Sequence, residues 1–372
     1  MTSNTSTDSV YPGAVSSAML SAPLHDAFSN AIRAARAGDT LAGLKLAQQA
    51  YRMAKSTNIP SAEIEALNIL AICRNASGAY IEGMAAAMDA FRIAKQIKDP
   101  LGTVYAVTTC ASGAGAILDT LDISLRMLER CLARAIELKN VPLKVRVHNI
   151  RGILLGSLHQ FDDAEREYAL AMHSINQAGA LTPATLVAGN QVHLAVIRAT
   201  FAGDELRPGL LNTAEKMAEE VFAVARQSGN VEDAARLHYS LGLLRFQQND
   251  AARALDEFRQ ALALASRIKH RARIIDIHME MGKVLTAQGR LGEALSVYQT
   301  AYNVADGHRP SRLLAEACSR IAEIQNALGD THEAAHMRSK AKQEFAEFSK
   351  QSGNVRRDLE TFWKTVEDLP AD

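Results

Sequence analysis

Between His238 and Leu264 the apolar positions recur at helical spacing in two arms. Leu241, Leu244 and Phe246 mark the first arm, and Leu255, Phe258 and Leu262 mark the second. A short polar run, Gln247 to Asp250, separates them. Small residues stand at Gly242, Ala254 and Ala261, where two helices can approach closely. Forty residues on, the chain repeats the arrangement with Gly282, Gly289, Ala294, Tyr298 and Ala301. The pattern predicts helical hairpins and no strands.

Two markers show how far the repeat extends. The Gly242-type position recurs at Ala31, Ala71, Ser112, Gly152, Ala195, Gly242, Gly282 and Ala322, in steps of 40, 41, 40, 43, 47, 40 and 40 residues. The Ala261-type position recurs at Ala50, Ala90, Cys131, Ala171, Val221, Ala261, Ala301 and Ala341. Two independent markers on one beat predict eight hairpins. A single hairpin exposes an apolar face that it cannot cover alone, so neighbours must stack into a solenoid.

This pattern resembles the tetratricopeptide repeat, with Gly78, Gly289 and Gly329, and Asn249 in the sixth unit, at the turn position. The resemblance covers residues 24–345. The period exceeds the family's usual value of about 34 residues, because each second helix continues past its marker. Pro60, Pro100, Pro142, Pro183 and Pro310 follow, where proline fits the first turn of the next helix. Such long repeats look like those of sensor or docking segments in bacterial signalling and regulatory proteins. The resemblance implies an all-α, right-handed superhelix with first helices lining a concave groove. Residues 1–21 read as a disordered polar leader, 22–345 as the solenoid and 346–372 as a capping helix and tail. A break is expected at Ser352–Gly353, followed by a closing helix with Trp363 that lids the last apolar edge. In the fifth unit seven extra residues fall near 203–209 and are expected to lengthen its turn.

Lys plus Arg and Asp plus Glu each number 41 in 372 residues, giving a formal net charge of zero. This balance argues against nucleic acid and anionic membrane partners, both of which need clustered positive charge. No run approaches the ~20 apolar residues of a membrane span, and the N-terminus lacks a secretion signal. Cys73, Cys110, Cys131 and Cys318 are scattered among apolar neighbours and read as buried thiols, so a cytoplasmic location is expected. There is no phosphate-cradling loop, nucleophile elbow or acidic metal cluster, and no cofactor is expected.

His332, Glu333 and His336 spell HExxH, the pattern of zinc hydrolases. Against that reading, Ala334 occupies the small packing position matched by Ala254 and Ala294, which places both histidines on an outer helix surface. His148, His238 and His278 share one repeat position, four before the marker, and read as structural.

Binding candidates are the first-helix positions that face the groove. They are Asn68 and Asn75 in the second unit, Arg146 and Asn149 in the fourth, Arg236, Tyr239 and Phe246 in the sixth, Lys283 in the seventh and Asn326 in the eighth. Asparagine offers a donor and an acceptor to an extended backbone, and arginine grips carboxylates in two-pronged fashion. In peptide-binding members of the family, such first-helix residues hold the ligand. The expected function is a non-enzymatic scaffold or sensor for a protein or peptide. The alternatives are a peptide-switched regulatory protein and, remotely, a zinc hydrolase through His332 and His336.

Overall fold

A computed structural model describes residues 21–36, 39–178, 182–228, 230–306 and 312–367. Residues 1–20 of the expected leader, and Pro310, lie outside the described residues. Sixteen α-helices and no strand are present among them. They form eight hairpins: α1 (Ala22–Arg36) with α2 (Thr40–Ser56), α3 (Pro60–Ser77) with α4 (Tyr80–Gln96), and α5 (Pro100–Ala114) with α6 (Leu121–Glu137). Next come α7 (Val141–Ser157) with α8 (Phe161–Ala178), α9 (Thr182–Phe201) with α10 (Arg207–Ser228), and α11 (Val231–Gln247) with α12 (Ala251–Arg267). The last two are α13 (Arg271–Ala287) with α14 (Leu291–Ala305), and α15 (Arg312–Ala327) with α16 (Thr331–Glu367). The chain divides into two compact units, residues 1–154, 166–180 and 360–372 in one, and 155–165 and 181–359 in the other.

Hairpin closure follows from side-chain size. Tyr168 lies over Gly152, Phe258 over Gly242 and Tyr298 over Gly282. A methyl group at Gly242 would stand 2.5 Å from the Phe258 ring, and one at Gly152 2.6 Å from Tyr168, so any side chain there displaces a ring. Phe258 and Tyr298 are fully buried, so displacing either ring disturbs packed neighbours. The alanines of the second marker, such as Ala90, Ala171, Ala261 and Ala301, are likewise completely covered.

The turns are equally specific. Asn58, Gly78, Lys98, Lys139, His159, Asn249, Lys269, Gly289 and Gly329 all adopt positive φ, the left-handed conformation that ends a helix. At five of them the next residue serves two helices at once. Asp99, Asn140, Asp250, His270 and Asp330 each donate their backbone N–H to a carbonyl five residues back, at 2.9–3.0 Å. Each also accepts, through its side chain, an N–H from the first turn of the following helix. Pro60 and Pro100 open their helices, and Pro142 and Pro183 stand second in theirs.

Three features differ from the sequence expectation. First, α16 runs unbroken through Ser352 and Gly353. A lone glycine costs a helix only about 1 kcal/mol relative to alanine, and Ser352, Val355 and Leu359 are buried on its inner side. Second, the Trp363 region does not lid the eighth hairpin. Residues 360–367 belong to the first unit, where Phe362 meets Phe91 edge-on at 4.9 Å and Arg126 lies 5.6 Å from the Trp363 ring. Third, the extra residues of the fifth hairpin do not all enlarge its turn. Five residues connect α9 to α10 where three connect α11 to α12, and α10 starts fourteen residues before Val221 where α12 starts ten before Ala261.

The packing predicts opposite responses at two glycines. Gly282→Ala drives a methyl group into the Tyr298 ring and should lower stability by about 1–3 kcal/mol. Gly353 has open space around it, so Gly353→Ala should raise stability by about 0.5–1 kcal/mol. Urea midpoints at unchanged slope measure both.

Candidate functional site

First-helix residues of the second unit converge on one polar patch. Glu232 stands in the first turn of α11, and its Oε1 is shared by two guanidinium groups and one imidazole. Arg236 donates to it at 3.4 Å, Arg273 at 3.5 Å, and His270 Nε2 lies 3.7 Å away. These contacts are long beside the 2.6 Å pair of Arg245 with Glu215. Arg236 also donates to Asn190 Oδ1 on α9 at 3.1 Å. The Arg273 guanidinium lies 5.4 Å from the centre of the buried Tyr239 ring, within cation–π range. His193 on α9 packs 6.0 Å from the same ring, with Nδ1 3.3 Å from Ser240 Oγ. Glu232 Oε2 and Arg273 Nε are buried without a hydrogen-bond partner.

The cluster separates its charges. Burial alone would push Glu232 up, but Arg273, Arg236 and His270 outweigh it and hold this carboxyl below its ordinary range. Asp276, one turn beyond Arg273, is raised to about 6, because burial and the neighbouring Glu280 outweigh the attraction of Arg273. His193 is lowered to about 4 by burial, aided by Arg273 and Arg236, so its ring is neutral at pH 7. Burial also lifts Tyr239 well above the usual phenol value. Carboxyls shifted in opposite directions thus lie on two consecutive first helices, one lowered at Glu232 and one raised at Asp276.

In the first unit a second row of polar residues crosses three first helices. Asn75 on α3 donates to the Thr109 carbonyl on α5 at 3.2 Å, and its side chain fills space that a residue larger than glycine at 113 would take. Arg146 on α7 donates to Thr109 Oγ1 at 3.0 Å and lies 6.0 Å from the Tyr105 ring. Asn68 and Asn149 are buried, and Asn68 Oδ1 has no partner. Glu65, half-buried on α3, is raised to about 7 by burial.

Arg236 and Tyr239 therefore lie within the second unit's patch, and Asn75 and Arg146 meet at Thr109 in the first. Lys283 pairs along its own helix with Glu280 at 2.7 Å, Phe246 is half-buried against the core, and Asn326 is exposed. Sequence reasoning did not select Glu232, Arg273, Asp276, His193 or Glu65. A signal for two of them was present: Asp276 and Glu65 stand six before their markers, the position that singled out Arg146 and Arg236.

The in-register histidines have a mechanical role. His148 Nδ1 donates to Glu167 and His238 Nδ1 to Glu257, each at 2.7 Å, from first helix to second within one hairpin. At the corresponding place opposite His278 the chain has Val297, and His278 Nδ1 is left without a partner. His332 in the first turn of α16 and His336 one turn later are exposed, while Ala334 between them is fully buried. Among the described residues no three His, Cys, Asp or Glu side chains group as metal ligands, and no helix is long and apolar enough to cross a membrane. All four cysteines are buried, and none is in a disulfide.

Two solved structures share this architecture. A Rap protein complexed with Competence and Sporulation Factor superposes with a TM-score of 0.57 at 12% identity, over 88% of this chain and 99% of that one. The apo form of RapI gives 0.51 at 15% identity, over 81% and 99%. The fold is the tetratricopeptide-repeat fold. No family model matches the chain, and no curated protein matches it. In tetratricopeptide-repeat terms, both polar rows lie on the first helices of their repeats.

Asp276 yields a pH prediction. Its folded pKa of about 6 lies above the ordinary 3.8, so the folded chain binds more protons than the unfolded chain between about pH 4 and 6. The cost of ionising it is present above that window and vanishes as pH falls through it. Arg273, Arg312, Glu280 and Glu316 are the charged groups around it. Asp276→Asn should be more stable than wild type at pH 7.5, and the difference in urea midpoint should shrink towards pH 4.

Proposed function

We propose that this protein is a non-enzymatic binding protein whose first-helix surface holds a protein or peptide segment, centred on Arg236, Tyr239, Arg273 and Asp276. One observation carries the reading. Two arginines, an aromatic ring and two carboxyls with oppositely shifted pKa values converge from consecutive first helices, and their mutual contacts are loose. A carboxylate shared among two guanidinium groups and an imidazole at 3.4–3.7 Å is rearranged at small cost when a ligand offers better geometry. Arg273 Nε–H and Glu232 Oε2, buried and without a partner, are a donor and an acceptor that such a rearrangement would release for new hydrogen bonds. Helices that are already formed reduce the ordering cost of binding. The Rap protein of like fold was solved in complex with Competence and Sporulation Factor, which supports a ligand-holding role for this architecture. In the first unit Arg146, Asn149, Asn68 and Asn75 supply a second stretch of the same kind.

A random-peptide selection against the full-length chain tests the proposal. Selected peptides should lose at least about tenfold in affinity for Arg273→Met, the cost of one buried charged hydrogen bond or more, with helicity at the assay temperature unchanged. Arg146→Ala and Asn149→Ala report on the first unit in the same assay. Selected peptides that bind all three variants as tightly as wild type would remove the first-helix surface from consideration.

A further inference from the structure

At the turn end of the second unit, away from the polar patch, lies a hollow of about 480 Å³. Its walls are Phe161, Phe201, Ala202, Leu206 and Leu210, with Arg198 as the one charged residue. Phe201 is 59% exposed and Leu206 69%, large apolar side chains held in water. They are not loose. His159, in the left-handed turn before α8, packs on Phe201 with ring centres 4.1 Å apart, and Phe161 follows at 6.0 Å. Arg207 fixes the far side of the turn by donating to the carbonyls of Ala199 and Ala202 at 3.3 and 3.0 Å.

Apart from Phe161 of α8, this hollow is lined by the fifth hairpin, whose two markers stand 26 residues apart where those of the other hairpins stand 19 apart. Phe201, Ala202, Leu206 and Leu210 flank or lie within the lengthened connection from α9 to α10. A pocket and two exposed apolar side chains thus appear where the repeat departs from its own pattern. Contiguous apolar surface with a polar rim is the mark of a docking site.

The rim states what kind of partner fits. Asp162 and Glu165 both pair with Arg198, at 2.8 and 2.7 Å, and Asp204 pairs with Arg207 at 3.0 Å. Glu205 stands exposed beside them. The acidic heads are the outermost groups: Asp162 is 81% exposed and Asp204 93%, against 30% for Arg198 and 38% for Arg207. Four carboxylates against two guanidinia leave an acidic edge around an apolar floor.

We infer that this hollow docks a partner protein through one large apolar side chain, leucine or phenylalanine, flanked in the partner's sequence by lysine or arginine. The apolar anchor covers Phe201 and Leu206, and the flanking cations meet Asp162, Glu165, Asp204 and Glu205. This contact is separate from the first-helix ligand site and does not depend on it.

Three labelled, end-capped peptides test it against the full chain by fluorescence anisotropy: a lysine-flanked Phe-Leu peptide, the same peptide with Ala-Ala at the anchor, and the same peptide with glutamate flanks. The first should bind at least about tenfold tighter than the other two, as expected for a buried anchor. Leu206→Asp and Phe201→Ser, both at exposed positions, should each reduce that binding at least about tenfold while circular dichroism stays unchanged. Asp204→Lys combined with Glu205→Lys should weaken it several-fold and reduce its salt dependence. The inference is overturned if the first peptide shows no binding up to about 1 mM, if either control peptide binds equally well, or if Leu206→Asp leaves affinity unchanged. Sedimentation in which wild type self-associates, Leu206→Asp does not, and the peptide fails to compete would overturn it in favour of a second copy of this chain. Arg273→Met, altered only in the polar patch, should bind the first peptide as wild type does.

Discussion

The structure depends on close approach at one point in each hairpin. Where Gly152, Gly242 and Gly282 lack side chains, an aromatic ring from the second helix occupies the space and sets the distance between the two helices. That distance decides which first-helix residues turn into the hairpin and which stay on its open face. Tyr239 and Arg236 stand three and six residues before Gly242, and Asp276 stands six before Gly282. The steric contact bears directly on the polar patch, since the Tyr239 ring lies 5.9 Å from that of Phe258. Larger marker residues would force the rings aside and rotate the binding face with them.

Around this contact the chain adds directional constraints. His148 with Glu167 and His238 with Glu257 tie first helix to second by short hydrogen bonds that are largely shielded from water. For Glu167, burial works against ionisation, and His148 and Arg151 together overcome it and hold the carboxyl below its ordinary range. The charges of the polar patch contrast with these clamps: their contacts are longer, and one carboxylate is divided among three partners. Tight pairs hold the scaffold, and loose pairs stand where a ligand is proposed to bind. The same residue types thus serve two purposes, separated by geometry rather than by composition.

Much of the fold was legible because the repeat marks its own buried face. Small residues at a fixed beat identified eight hairpins, and Gly78, Asn249, Gly289 and Gly329 identified turns. Lys98, Lys139 and Lys269 were not legible as turn residues, since lysine has no preference for the left-handed region. They adopt it because the next residue satisfies two helices, a gain that offsets the roughly 1–2 kcal/mol of strain. The expected break at Ser352–Gly353 failed because burial of Ser352, Val355 and Leu359 outweighs one poor helix former. For the polar patch, Arg236 and Tyr239 could be found from their register. Glu232, Arg273 and His193 could not, because Glu232 stands on the same helix at another position in the repeat, and Arg273 and His193 reach the patch from other helices, which only the packing brings together.

Turns whose single residue closes one helix and opens the next have no slack. An added residue would uncouple both hydrogen bonds and shift the register of everything that follows. The connection from α9 to α10 has no left-handed residue among its members and is not bound by that rule. Lengthening it costs little more than the entropy of a slightly longer loop. Such a solenoid can therefore diversify at this seam, acquiring new surface while the stacked repeats on either side keep their phase.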